Sequence, residues 1–175
     1  MPHHLIELKL RDVQQLFNSM DPSPFHDKDL DKDAEEFIVS WSREYPLDDT
    51  VTLRVHLDQQ PEKDPTTLIT EAVHNYFEYR AKLSGMEFRR LMRQGRSSLI
   101  IGVLFLGACL LASNLLASGT TGLAGYVRES LTIAGWVAMW RPMEIYLYDW
   151  WPVRRQQRNY VRLSTMPVEV AAKPV

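Results

Sequence analysis

The charges hardest to place in this chain belong to Trp140-Arg-Pro-Met-Glu144. They fall inside LTIAGWVAMWRPMEIYLYDWW, Leu131 to Trp151, a run long enough to cross a hydrocarbon core, with Arg141 and Glu144 near its middle. An unpaired arginine at that depth costs roughly 2.5–3.5 kcal/mol or more, so a partner is expected. Arg141 and Glu144 stand three apart, share a helix face and can pair. The pair has two readings: a lock that holds a hairpin or joins protomers, or part of a proton or ion path. Pro142 removes the donor that would serve the carbonyl of Ala138, which predicts a kink.

Other chemistry is sparse. Asp27, Asp29, Asp31 and Asp33 have the alternation of a calcium loop, but the positions that need Gly and a bidentate Glu hold Lys32 and Ile38. The simpler reading is a solvated loop whose acids favour the positive end of the helix that follows. His3, His4, His26, His56 and His74 show no metal-ligand spacing, and no Gly-rich phosphate loop or nucleophile elbow is present. Cys109 reads as a small packing residue. No catalytic, cofactor-binding or metal-ligating residue is predicted, and a non-enzymatic protein is expected; a hydrolase or transferase would have to use carboxylates of the 21–36 loop. Asp21-Pro-Ser-Pro-Phe25 is a rigid proline turn that presents an aromatic side chain. It is either a plain connection or a docking loop (Asp21, Pro22, Ser23, Pro24, Phe25) for a cytoplasmic protein.

The elements that must position these groups follow from how charge is distributed. The whole chain is near neutral, −2 over 175 residues, which rules out a protein built to coat nucleic acid. Mean hydropathy is −0.25, a value typical of a soluble protein. Both averages hide blocks. Residues 1–79 are strongly acidic. Arg80, Lys82, Arg89, Arg90, Arg93 and Arg96 then face only Glu87, residues 97–127 carry no charge, and Arg154, Arg155, Arg158 and Arg162 make the end basic.

Ser97 to Ser118 reads as a transmembrane helix, about 33 Å long if helical against a core of about 30 Å. Gly119–Gly125 reads as a short loop and Leu131–Trp151 as a second span; a helix lying in the interface is the alternative for the latter. Tyr146, Tyr148, Trp150 and Trp151 form an aromatic belt, and basic clusters flank both spans on one side. The positive-inside rule then puts both termini in the cytoplasm, with Arg89, Arg90, Arg93, Arg96, Arg154 and Arg155 against lipid headgroups. Gly102, Cys109, Ser113 and Ala117 on the first span, with Ala134 and Ala138 on the second, supply small-residue faces for helix association, and Asn114 could bond across them.

The acidic part reads as a small α+β domain of order β-α-α-β-α. Strands are expected at residues 4–10 and 50–58 from their alternation, and a short helix from Val13, Leu16, Phe17 and Met20. A second helix presents Ala34, Phe37, Ile38, Trp41 and Tyr45, with an Asp33/Glu36 capping box. A third starts at Asp64-Pro65 and is open to interruption at Gly85, with Met86–Arg96 a separate amphipathic piece. Two strands make a marginal sheet, and residues 165–171 could add another, within the chain or between neighbours. The expected divisions are 1–84 (domain), 85–96 (juxtamembrane segment), 97–151 (transmembrane hairpin) and 152–175 (basic cytoplasmic tail).

The block DPSPFHDKDLDKDAEEFIVSW at 21–41, a basic stretch and a hairpin ending YDWWPVRR resemble bacterial inner-membrane proteins of uncharacterised activity. The resemblance implies an inner-membrane location and supplies no catalytic residue. The expected protein docks or assembles through its cytoplasmic domain and oligomerises through its hairpin, with lipids, its own copies and a cytoplasmic protein as partners and no nucleic acid. An oligomeric ion or proton channel using Arg141 and Glu144 is the alternative.

Overall fold

The computed structural model describes residues 3–24, 28–58, 64–115 and 122–172. The chain forms two compact units, Met1–Gly85 with Arg155–Val175, and Met86–Arg154.

The first unit is a mixed α+β domain. Alternating side chains make strands of β1 (His3–Leu10) and β2 (Thr50–Leu57), and a third strand, β3 (Val168–Ala172), joins them. All are parallel in the order β1-β2-β3, with Ile6 beside Leu53 and Leu53 beside Val168. Parallel neighbours need crossover connections. The first runs through a single 3-10 turn (Val13–Leu16) and α1 (Lys32–Glu44). The second runs from α2 (Thr66–Leu115) to α5 (Trp150–Leu163), so the entire second unit is inserted between β2 and β3.

One face of the sheet is buried. Ile6, Val51, Leu53 and Val55 pack with Ile38 of α1, Val73 and Phe77 of α2, and Leu163 of α5, each no more than 2% exposed. The opposite face is polar. Arg54 reaches across strands to Glu169 at 2.8 Å and Glu7 at 3.9 Å, and His56 approaches Glu7 at 3.3 Å.

Several expectations need correction. The 152–175 segment is no separate tail: Tyr160, Leu163 and Met166 are core residues, and β3 completes the sheet within the chain. The 13–20 stretch makes only the short 3-10 turn, and Met20 is exposed. Asp31, not Asp33, caps α1, accepting from the Asp33 amide at 3.0 Å. Phe37 and Trp41 lie largely outward on α1, while Ser42 is buried. Its hydroxyl accepts from Asn159 Nδ2 at 2.7 Å and donates to the Val39 carbonyl at 2.8 Å, which ties α1 to α5 by a polar contact.

Gly85 does not interrupt the third helix, and 85–96 is no independent piece: α2 is continuous for 50 residues. A glycine in a helix costs about 1 kcal/mol. Here a Cβ would meet Gln157 of α5 at 2.8 Å, so the missing side chain admits α5.

The second unit continues α2 to Leu115 and returns through α3 (Gly122–Ala138), α4 (Trp140–Glu144), a π-helical turn (Ile145–Asp149) and the start of α5. The expected 119–125 loop is shorter at its far end, since Gly122–Gly125 already belong to α3; residues 119–121 lie outside the described residues.

Candidate functional site

Within the second unit the two arms meet through their smallest residues. A Cβ on Gly95 would lie 3.0 Å from Ile145 Cγ2, and one on Gly102 3.1 Å from both the Ala138 carbonyl oxygen and Met139 Sδ. On the other arm, a Cβ on Gly135 would lie 2.8 Å from Leu106 Cδ1 and 3.2 Å from Cys109 Cβ. Gly95, Gly102 and Cys109 recur every seventh position, the spacing that keeps one helix seam against a partner. Gly102, Cys109 and Ser113 are buried in this intramolecular seam. The second arm contributes Gly135 where Ala134 was expected: Ala134 is exposed, as is Asn114, and Ala117 lies outside the described residues.

Large apolar side chains point away from the seam. Leu104 is 69% exposed, Leu111 67%, Trp136 64% and Trp140 72%. Only 17% of the most apolar stretch of α2 is buried, and α2 is the one described helix long and apolar enough to cross a membrane. A core helix of a water-soluble protein would be covered.

The seam fixes the level of the polar pair. Gly95 faces Ile145 and Tyr146, and Gly102 faces Ala138 and Met139. Glu144 is therefore level with about Arg96–Ser97, and Arg141 about one turn further along α2. Near the middle of 131–151 by count, the pair lies by packing at the basic end of the charge-free stretch of α2. Arg141 Nη1 donates to Glu144 Oε2 at 2.9 Å and to Asp149 Oδ2 at 3.3 Å. Asp149 was missed because, eight residues on, it would sit about 80° away around a regular helix. The π turn at Ile145–Asp149 rotates less per residue and takes out most of that offset. The break before it has a cause in Pro142: Met139 N donates to the Trp136 carbonyl at 3.0 Å, the last tight turn before α4. Arg141, Glu144 and Asp149 keep 51%, 43% and 33% of their side-chain surface exposed, so the triad is open along one side.

The predicted headgroup arginines, Arg89, Arg90, Arg93, Arg96, Arg154 and Arg155, are all exposed, and Arg154 lies 5.9 Å from the Phe88 ring centroid. In the 21–25 loop, Asp21 Oδ1 accepts from the Ser23 amide at 2.9 Å and Oδ2 from the Asp29 amide at 2.7 Å. These donors, Asp29 first, hold its carboxyl below the usual range. Pro22 and Pro24 are exposed, and Phe25 lies outside the described residues.

The histidines are scattered. His4 pairs with Asp49 at 3.0 Å and stacks on Tyr45, His74 bonds the Met166 carbonyl, and His26 is outside the described residues. No group of three or more His, Cys, Asp or Glu among the described residues is arranged to hold a metal.

Sequence reasoning also missed a cluster in the domain. Glu35 Oε1 pairs with Arg80 Nη2 at 2.7 Å, and Oε2 accepts from the Tyr76 hydroxyl at 2.7 Å. Tyr160 receives Arg80 Nη2 at 3.2 Å and Gln156 Nε2 at 3.1 Å. Burial, and then the Glu35 carboxylate, push the Tyr76 phenol well above its ordinary value. A carboxylate whose two oxygens are both taken, beside a phenol that keeps its proton, is poorly suited to proton transfer. The cluster fastens α1, α2 and α5 together. No family model, curated protein or solved structure matches the chain.

Proposed function

We propose that this chain is a two-span protein of the bacterial inner (plasma) membrane, non-enzymatic, with both termini and the α+β domain in the cytoplasm. The domain docks or assembles with protein partners, and the hairpin oligomerises. The observation that carries the reading is where the inside-out helices are inserted. β1, β2 and β3 belong to one sheet, so the chain between β2 and β3 must cross any membrane an even number of times. If α2 crosses, its return arm crosses too. The return arm has no uncharged stretch as long as that of α2, but its exposed tryptophans and its pairing with α2 suit it to lipid.

The exposed arginines at one end of both arms support the cytoplasmic orientation, each worth about 1 kcal/mol near an anionic leaflet. The glycine seam is consumed within the chain, so oligomerisation would use the outward apolar faces and the open side of Arg141–Glu144–Asp149 in place of the small-residue faces. Removing that side from lipid is the physical incentive for a second copy to cover it.

The test uses single cysteines in a Cys109→Ser background and a membrane-impermeant maleimide on intact spheroplasts. Leu123→Cys is expected to label from outside and Asp48→Cys only after permeabilisation. The opposite pattern overturns the orientation, and equal labelling overturns the two-span reading. Crosslinking in native membranes is expected to give homo-oligomers and a partner; monomers alone would sink the assembly role. The channel reading has the exposure of Arg141 and Glu144 in its favour. Reconstituted flux that Glu144→Gln leaves unchanged would remove it.

A further inference from the structure

At the carboxyl end of β1 the domain holds an open groove of about 670 Å³. Phe37 of α1 supplies its exposed apolar surface, over a buried floor of Leu8 and Leu10 of β1, Phe17, and Ala34 of α1. Asp12, Asp31 and Asp33 supply its charge, and no Lys, Arg or His lines it among the described residues. The carboxyl end of a parallel sheet, where a crossover helix begins, is the usual place for a ligand and commonly for an anion. Here that helix end is occupied from within, because the Asp31 carboxylate accepts from the Asp33 amide. The Asp12 side chain makes no cap to the turn it precedes, and Asp33 is exposed. An anion would meet three carboxylates, whereas a cation would meet a lining of acids with no basic side chain among its described residues.

We propose that this groove binds a basic peptide segment of another protein, seating one large apolar side chain against Phe37 while flanking Lys or Arg residues pair with Asp12 and Asp33. The proposal rests on the docking part of the function proposed above and gives it a place and a partner chemistry. A peptide fits better than a small polyamine because the apolar surface continues beyond the groove. Phe37 and Trp41, one helical turn apart with ring centroids at 6.0 Å, are 37% and 41% exposed, and a small cation would leave them uncovered. Charge complementarity of this kind sets partner choice and approach rate as well as affinity.

The full chain in nanodiscs of neutral phosphatidylcholine is titrated with a fluorescein-labelled dodecapeptide that alternates Lys/Arg with Leu/Phe. Saturable binding is expected, weakened at least tenfold by Asp12→Asn with Asp33→Asn and at least fivefold by Phe37→Ser. The control pair Glu44→Gln with Asp48→Asn, acids outside the groove, is expected to change it less than twofold. Both altered residues of the first pair lie outside the core, and an unchanged thermal midpoint confirms that the fold is intact. Equal loss in the control pair, equal binding of a peptide with Ser in place of Leu/Phe, or full competition by spermine overturns the proposal. A chain that still crosslinks to a partner in membranes but ignores the peptide overturns the groove and leaves the docking role standing.

Discussion

In the α+β domain large side chains fill the interior: Phe77, Ile6, Leu16 and Leu53 are at 0–1%. Between Met86 and Arg154 mostly small residues hold the interior, with Gly95, Gly102, Cys109 and Gly135 inside beside Ile145, and Leu104, Phe105, Trp136 and Trp140 outside. Both regions use the same apolar residue types. On the proposed membrane placement, what differs is the medium each is built to meet. Water drives large side chains together in the first, and burying each is worth roughly 1.5–3 kcal/mol. In the second, the proposed lipid surroundings would remove that incentive and leave close backbone approach to decide the packing. Charge follows the same division: ion pairs cross the open face of the sheet, while on the hairpin they gather at Arg141, Glu144 and Asp149.

The sharpest way to break this comparison is to shrink one phenylalanine in each region. Phe77→Ala should cost about 3–5 kcal/mol, while Phe105→Ala should stay within about 0.5 kcal/mol, read by denaturation of the micelle-bound chain with circular dichroism. Equal losses would mean that the hairpin has a buried core of its own. Growing a residue should give the opposite asymmetry. Gly135→Leu drives side-chain atoms into Leu106 and Cys109 and should destabilise by about 1–3 kcal/mol, whereas Ala134→Leu, its exposed neighbour, should be near neutral.

A smaller effect sharpens the domain side. Asn159→Ala leaves the buried Ser42 hydroxyl without its donor and takes an acceptor from Arg162, whose Nη2 bonds Asn159 Oδ1 at 2.8 Å. A loss of about 1–2 kcal/mol is expected in the same denaturation experiment. The smallest effect is a pH dependence in the 21–29 loop. The Asp21 carboxyl is depressed by the Asp29 amide and by Ser23, so its contribution is complete above the free carboxyl value of about 3.9 and is lost as pH falls through the folded-state value. Amide shifts of Ser23 and Asp29 should report that transition below about pH 4, and Asp21→Asn should abolish it with the global midpoint unchanged.

Much of the domain was legible because its signals are local. Alternation along Leu5–Leu10 and Val51–Leu57 identifies β1 and β2, and Pro46 after the Ala34/Ile38 periodicity marks the end of α1. The placement of Trp41 was not, since periodicity alone cannot foresee that Asn159 draws Ser42 inward. The third strand is short and ends in alanines, and only its pairing with β2 gives it meaning. The level of Arg141 was misjudged for a related reason. Counting inside Leu131–Trp151 puts it near the centre, but the opposing helix defines the level, and the Gly95 and Gly102 contacts put it about one turn beyond Arg96 on α2. The heptad of Gly95, Gly102 and Cys109 could have revealed that register. The π turn, and with it the role of Asp149, carries no comparable sequence signal.

The β2–β3 crossover also sets an order of events during synthesis. Arg54 and Glu169, partners across the two strands, are 115 residues apart in the chain. β2 leaves the ribosome with one edge unpaired and keeps it until the whole hairpin and α5 have followed, a closure of high contact order and correspondingly slow. In the proposed topology β3 can reach that edge only from a chain that has returned to the side it started from. In that topology sheet completion would report on insertion, because a polypeptide stalled after one crossing would keep the Val51–Leu57 edge unpaired.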